Sequence, residues 1–218
     1  MAQTRQTLAE LSAGRFILGL GVSNPGLNQT RGHVWQMPLP KMKSYLAAMV
    51  EASVDAPKPD EPAPLYIAAH GPKLQTLGAN HADGIITYLM PPLHTRASRQ
   101  HIGLNTNLTV VSPFLLESNP IKARARSRKA LQYYMTLDYY RREWSQLGFD
   151  EDDFIDGGSD RLIDTLVGWG DKDALEERLN TYYTEGADRV IAMPFDKLTS
   201  DGQNSLSALA ASSTSASR

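Results

Sequence analysis

Gly14-Arg15-Phe16-Ile17-Leu18-Gly19-Leu20-Gly21-Val22-Ser23-Asn24-Pro25 is the stretch that decides how the rest of the chain is read. Phe16 to Leu20 is a short apolar run between turn formers, the pattern of a strand buried on both faces. Upstream, Thr4 to Leu11 reads as a helix ending at Ser12-Ala13-Gly14, and Gly14 suits the left-handed residue that closes a helix. Downstream, Gly21, Ser23, Asn24 and Pro25 leave the backbone bare enough to lie against a flat ligand. Helix, tight turn, strand and glycine loop make one unit of an α/β fold, whose site belongs at the C-terminal end of the strand.

The same alternation continues along the chain. After the first loop, Met42, Tyr45, Leu46, Met49 and Val50 recur at helical spacing over Pro40–Ser53. Asp55 to Pro64 holds four prolines and reads as a stiff connector. Leu65–Ala69 is the second strand, and it runs into His70-Gly71-Pro72-Lys73, where Pro72 suits the first turn of a helix over Lys73–His81. Ile85–Tyr88 is the third strand, His94-Thr95-Arg96 opens another helix, and Leu108–Val111 is the heart of the fourth strand, Asn107–Leu115. Pro120 to Leu147 reads as helical throughout. Gly157-Gly158-Ser159 leads, with Ser159 as N-cap, into a helix over Arg161–Trp169. Asp173–Glu185 is a further helix and Val190–Met193 the fifth strand. Five strands alternating with helices predict right-handed βαβ units and a parallel sheet.

Composition narrows the function classes. The 218 residues carry 41% hydrophobic and 21% charged side chains, ordinary values for a globular domain. A formal net charge of -2 supplies no electrostatic attraction to nucleic acid or an anionic membrane. Without cysteine there is neither a disulfide framework nor a thiolate metal site. The five histidines, His33, His70, His81, His94 and His101, show no HExxH-type spacing, so no metal is expected. No apolar run approaches the about 20 residues of a membrane span, and residues 1–13 lack the apolar core of a signal peptide, so the cytoplasm is the expected location. Gly19-Leu20-Gly21-Val22-Ser23-Asn24 lacks the third glycine of the dinucleotide-binding fingerprint.

Leu11 to Ser23 resembles the fourth-strand region of the luciferase-like monooxygenase superfamily. Ala68-Ala69-His70-Gly71-Pro72-Lys73, Ala82-Asp83-Gly84 with Tyr88 and His94-Thr95-Arg96 beyond it, and Leu147-Gly148-Phe149 through Gly158-Ser159-Asp160-Arg161-Leu162 resemble its deazaflavin (coenzyme F420)-dependent oxidoreductases. The resemblance spans roughly residues 8 to 193 and implies a (β/α)8 TIM-barrel type of fold with the cofactor at the C-terminal rim. It also implies that the barrel is incomplete, with about five of eight strands and the first three βα units missing. Residues 1–198 would form the partial barrel and 199–218 a Ser/Ala-rich, disordered tail. A homodimer would then cover the open side of the barrel.

The implied activity is hydride transfer between the deazaflavin and a small organic substrate, with FMN as the alternative cofactor and a non-catalytic, self-associating remnant as the alternative of another class. For the ring, the resemblance points to Gly21, Val22 and Ser23; a plain βα turn is the simpler reading. For the phosphate it points to Gly71, Pro72 and Lys73 at a helix N-terminus, with Thr87, Tyr88, Ser159 and Arg161 as further contacts. Against the last two, Asp160 and Asp164 are ready partners for Arg161. His70 is the acid/base candidate; Asn24 stands where relatives often place an acidic residue or histidine, and can donate a hydrogen bond but not act as a general acid.

Overall fold

The computed structural model describes residues 1–55, 59, 61–195, 207 and 209. These fall into two compact units, Met1–Ile86 with Gln100–Leu108, and Thr87–Arg99 with Thr109 onward. Strands β3 (Gly84–Tyr88) and β4 (Asn107–Leu116) begin in the first unit and end in the second.

In the first unit, helix α1 (Ala2–Leu11) ends at Ser12, and the chain turns through Ala13 and Gly14, both at positive φ (48° and 77°). Ser12 Oγ accepts from the Phe16 amide at 3.0 Å, which aims the chain into strand β1 (Leu18–Leu20). β1 pairs in parallel with β2 (Leu65–Ala68), Leu18 opposite Leu65 and Leu20 opposite Ile67, and β2 pairs in parallel with β3, Ile67 opposite Ile85. Leu18, Leu20, Leu65, Ile67 and Ile85 share one face and bury it against Met42 and Leu46 of α3 (Pro38–Glu51) and Leu77 of α4 (Pro72–His81). Each such side chain contributes roughly 1.5–3 kcal/mol relative to exposure.

The opposite face corrects the expectation that the first strand is buried on both sides. Gly19, Gly21 and Ala68 are exposed there. The apolar run Phe16–Leu20 conceals a period of two, because Gly19, at the centre of β1, has no side chain to report which way it faces.

In the second unit, β4 pairs in parallel with β5 (Gly168–Gly170) and with β6 (Arg189–Pro194). The core gathers Leu89, Met90 and Leu115 with Leu131, Trp144, Leu162, Ile163 and Leu166. Trp144 Nε1 donates to the Leu89 carbonyl at 3.0 Å and the Tyr182 hydroxyl to the Met90 carbonyl at 3.1 Å, so both large aromatics are buried with their polar atoms paired.

Three expectations need correction. Gly168–Gly170 is a strand and not the end of a helix: α8 (Asp160–Leu166) stops before it, and Gly168 lets Arg178 Cγ pass within 3.1 Å of where a Cβ would stand. The helix expected over 120–147 is broken into α6 (Pro120–Leu131), a 3-10 turn at Tyr134–Thr136 and α7 (Asp138–Gln146). The break sits where Tyr133, Tyr134 and Tyr140 pack edge to face, with centroids 5.5 to 5.8 Å apart, and Thr136 Oγ1 donates to the Tyr133 carbonyl. The first loop contains helix α2 (Pro25–Thr30), capped by Asn24.

The described residues thus supply six strands, short of the eight of a closed (β/α)8 barrel. The parallel sheet flanked by helices matches the expected fold class. The Ser/Ala-rich tail expected at 199–218 lies outside the described residues except for 207 and 209. Among the described residues no helix is long and apolar enough to cross a membrane.

Candidate functional site

The ends of β1 and β2 lie side by side in the first unit. Parallel pairing carries Gly21 next to Ala68, and a Cβ at Gly21 would stand 3.5 Å from the Ala68 Cβ. Beyond Gly21, Ser23 takes φ 63°, a left-handed conformation costly for a residue other than glycine. The turn that imposes it is tied from within. Asn24 Oδ1 accepts from the Leu27 amide as the N-cap of α2, and Asn28 Nδ2 donates to the carbonyls of Asn24 (2.9 Å) and Val22 (3.3 Å). Both asparagines are buried, and Asn24 acts here as a helix cap and a brace for the turn.

β2 leads through Ala69 and His70 into Gly71, the N-cap of α4. Gly71 has extended φ and ψ (-80°, 155°), so it needs no special backbone freedom. No side chain caps this helix and Pro72 holds its first position, so the amides of Lys73 and Leu74 point out of the N-terminus. Lys73 is exposed beside them and His70 is half-buried. The His70 carbonyl accepts from the buried Gln75 Nε2 at 2.7 Å. Gln75 braces the turn between β2 and α4, a contact the sequence alone does not single out; its only signal is its place five residues after His70, one turn into the helix. His101 adds a second bond to this turn, its Nε2 lying 2.9 Å from Thr76 Oγ1 and 3.1 Å from the Pro72 carbonyl.

The other candidates lie in the second unit and are engaged there. Thr87 is buried, and its hydroxyl is enclosed without a partner among the described residues. The Tyr88 hydroxyl donates to that of Tyr134 at 3.3 Å, and burial raises its pKa well above the ordinary phenol value, keeping it neutral. Ser159 Oγ accepts from the Leu162 amide as the cap of α8 and donates to Asp153 Oδ1 at 2.6 Å. Arg161 pairs with Asp153, donates to the Gly148 carbonyl and lies 4.5 Å over the Phe149 ring. These bonds hold Asp153 below the ordinary carboxylate range, the Ser159 hydroxyl first and the Asp150 amide and Arg161 after it. The partner of Arg161 is Asp153, six residues before Ser159; Asp160 and Asp164 pair with Arg124 instead. Ser159 and Arg161 therefore lock a loop onto a helix. Among the described residues no group of three or more His, Asp or Glu side chains is placed to hold a metal ion.

The first unit therefore offers a flat stretch of small residues (Gly21, Ala68) beside an uncapped helix N-terminus with one lysine. Such a pair can receive a planar ring and an attached anion.

Comparison with known proteins bears on what that arrangement serves. A sequence profile of the family described as luciferase-like monooxygenase matches residues 1–189. Among solved structures, an F420-dependent secondary alcohol dehydrogenase in complex with an F420–acetone adduct is similar over 95% of this chain and 71% of its own (TM-score 0.69, 13% identity). A coenzyme F420-dependent tetrahydromethanopterin reductase from Methanopyrus kandleri covers 94% and 75% (TM-score 0.62, 16% identity). An EDTA monooxygenase from Chelativorans sp. BNC1 covers 99% and 70% (TM-score 0.65, 14% identity). At these identities the likeness is one of fold.

Proposed function

Because the chain belongs to the luciferase-like monooxygenase family, we propose that it is an oxidoreductase using the deazaflavin F420, with a small organic molecule as hydride donor or acceptor. The observation that carries this reading is the side-by-side placement of Gly21 and Ala68 next to the uncapped first turn of α4. Two of the similar structures are F420-dependent by their descriptions, which supports the choice of cofactor. When bound, the deazaflavin supplies the hydride chemistry at its C5.

The residues of this chain do the rest. The Lys73 and Leu74 amides and the Lys73 ammonium would hold the phosphate at the positive end of α4. Gly21, Val22 and Ser23 would lie against the ring, where any larger side chain at Gly21 would stand in its place. His70, half-buried at the end of β2, is the group positioned to give or take a proton, and Gln75 fixes its backbone. Asn24, Ser159, Arg161 and Thr87 are left out of this site because their polar groups serve the fold or are enclosed by it.

FMN is the second reading, and the similarity to a monooxygenase favours it. Parallel equilibrium titrations of the purified protein with F420 and with FMN, followed by cofactor fluorescence, separate the readings. Tighter binding of F420 is expected. Tighter binding of FMN would replace the cofactor, and no binding of either would leave a non-catalytic, self-associating module as the better account. The same reading expects a cytoplasmic homodimer, in which the outer edge of β1 is covered by a second chain; among the described residues β1 pairs only with β2.

A further inference from the structure

At the opposite end of β2 from His70, the first unit holds a cavity of about 630 Å³. Its described walls come from α1, α3 and α4, with Ala52, Val54, Pro59, Pro62 and Ala63 ahead of β2. On α3 the lining residues Lys43, Leu46, Ala47 and Val50 follow at i, i+3, i+4 and i+7, one continuous stripe. Leu65 and Leu77 close the floor. The volume lies within the about 300–1,000 Å³ of small-molecule sites, which are likewise mostly apolar with a few placed polar groups.

Charge at the lining is one-sided. Arg5, Lys43 and His81 line the cavity, and no Asp or Glu is among its described lining residues. Arg5 is already engaged: its Nε donates to the Ala63 carbonyl at 2.6 Å and its guanidinium lies 3.6 Å from Asp83. Lys43 and His81 are both exposed and form no ion pair among the described residues. At the lip, Val50 is 87% exposed, an apolar side chain turned to solvent where a chain would enter.

From this we infer that the cavity binds an amphiphilic carboxylate, its alkyl chain between α1, α3 and α4 and its carboxylate at Lys43 and His81. A cationic amphiphile meets the Lys43 ammonium and is disfavoured, and a short anion lacks the chain that would displace water from the apolar walls. The site is separate from the proposed cofactor site, and it does not depend on that reading.

Calorimetric titration of the whole chain with decanoate, decylammonium and acetate, each below its micelle concentration, tests the inference. Saturable one-site binding of decanoate is expected, with decylammonium at least tenfold weaker and acetate without measurable binding. Ala47→Trp, at an exposed lining position, should fill the cavity and abolish decanoate binding, and Lys43→Glu should weaken it at least fivefold. Should Ala47→Trp fail to fold, as judged by its thermal melt, Val50→Asp at the lip serves as the blocking variant. Absence of saturable decanoate binding, equal affinity for the two amphiphiles, or undiminished binding in the blocking variant overturns the proposal.

Discussion

Gly78→Ala should destabilise the protein, although a glycine-to-alanine change inside a helix ordinarily does the reverse. Gly78 lies within α4, where alanine is favoured by about 1 kcal/mol. A Cβ at this position would stand 2.4 Å from Ile85 Cγ2 and 3.2 Å from Ile67 Cγ1. Both isoleucines are fully buried, and their β-branched side chains have little rotamer freedom with which to yield. The helix must back away from the sheet by about 1 Å or more to restore ordinary contact near 3.5–4 Å. That retreat loosens Leu77 against the first unit's core. Overpacking of this kind costs typically 1–3 kcal/mol, and a contact this short belongs at the upper end, so the net loss is about 1–2 kcal/mol. Urea unfolding followed by far-ultraviolet circular dichroism measures it as a lower midpoint at unchanged slope. Ile85→Ala removes the obstructing methyl group, so the double variant should be less destabilised than the sum of the singles by at least about 1 kcal/mol. A Gly78→Ala protein as stable as the parent, or more so, would refute the close packing of α4 on β2 and β3. The site reading would suffer with it, since α4 carries the proposed phosphate site at its other end.

Four further outcomes are expected. Asn24→Ala removes the cap of α2 and should lower stability by about 1 kcal/mol, read as a shift in the unfolding midpoint. Asp153→Asn should cost about 1–3 kcal/mol at pH 7, because Arg161 and Ser159 lose a charged acceptor. The carboxyl is held below its ordinary value, so its contribution is full above about pH 4 and is lost as pH falls through the lowered value; parent and variant melts should converge below about pH 4. Leu162→Ala, at a fully buried position, should cost about 2–5 kcal/mol by thermal or urea melt. Sedimentation at micromolar concentration should show a dimer, and a sharp monomer would remove the pairing proposed at the β1 edge.

The parts of the fold legible in the sequence were those whose signal is local. Short apolar runs at Leu18–Leu20, Leu65–Ala68 and Gly84–Tyr88 and the cap at Ser159 can be read from neighbouring residues alone. The motif Gly71-Pro72 likewise announces the start of α4. Strand β5 could not be read this way. Two of its three residues, Gly168 and Gly170, are glycines, which disfavour strands, and they follow a helical pattern; what makes Gly168–Gly170 a strand is pairing with Phe114–Leu116, more than fifty residues away. The break between α6 and α7 is similarly tertiary, set by tyrosine packing in a stretch with no glycine or proline to mark it. Helix α2 is different, since Asn24-Pro25 is an N-cap and first-turn signal that the sequence itself carries. Among the candidate site residues, the strand-end positions Gly21 and Gly71 are local features that the sequence displays, whereas the pairing of Arg161 with Asp153 rather than Asp160 or Asp164 arises only through the fold of the intervening loop.

The central claim, that the end of β2 and the first turn of α4 receive the cofactor phosphate, is tested most directly by fluorescence titration of F420 against the parent protein, Lys73→Ala and Gly71→Val. A charge-assisted hydrogen bond to phosphate contributes about 1.5–3 kcal/mol, so Lys73→Ala should weaken binding about tenfold to a hundredfold. Gly71 has an extended backbone that valine can adopt, so Gly71→Val should leave the helical circular dichroism nearly unchanged while its side chain obstructs the phosphate at least as severely. Equal affinity in all three proteins, or no binding to the parent, would contradict the account and return this turn to a purely structural role.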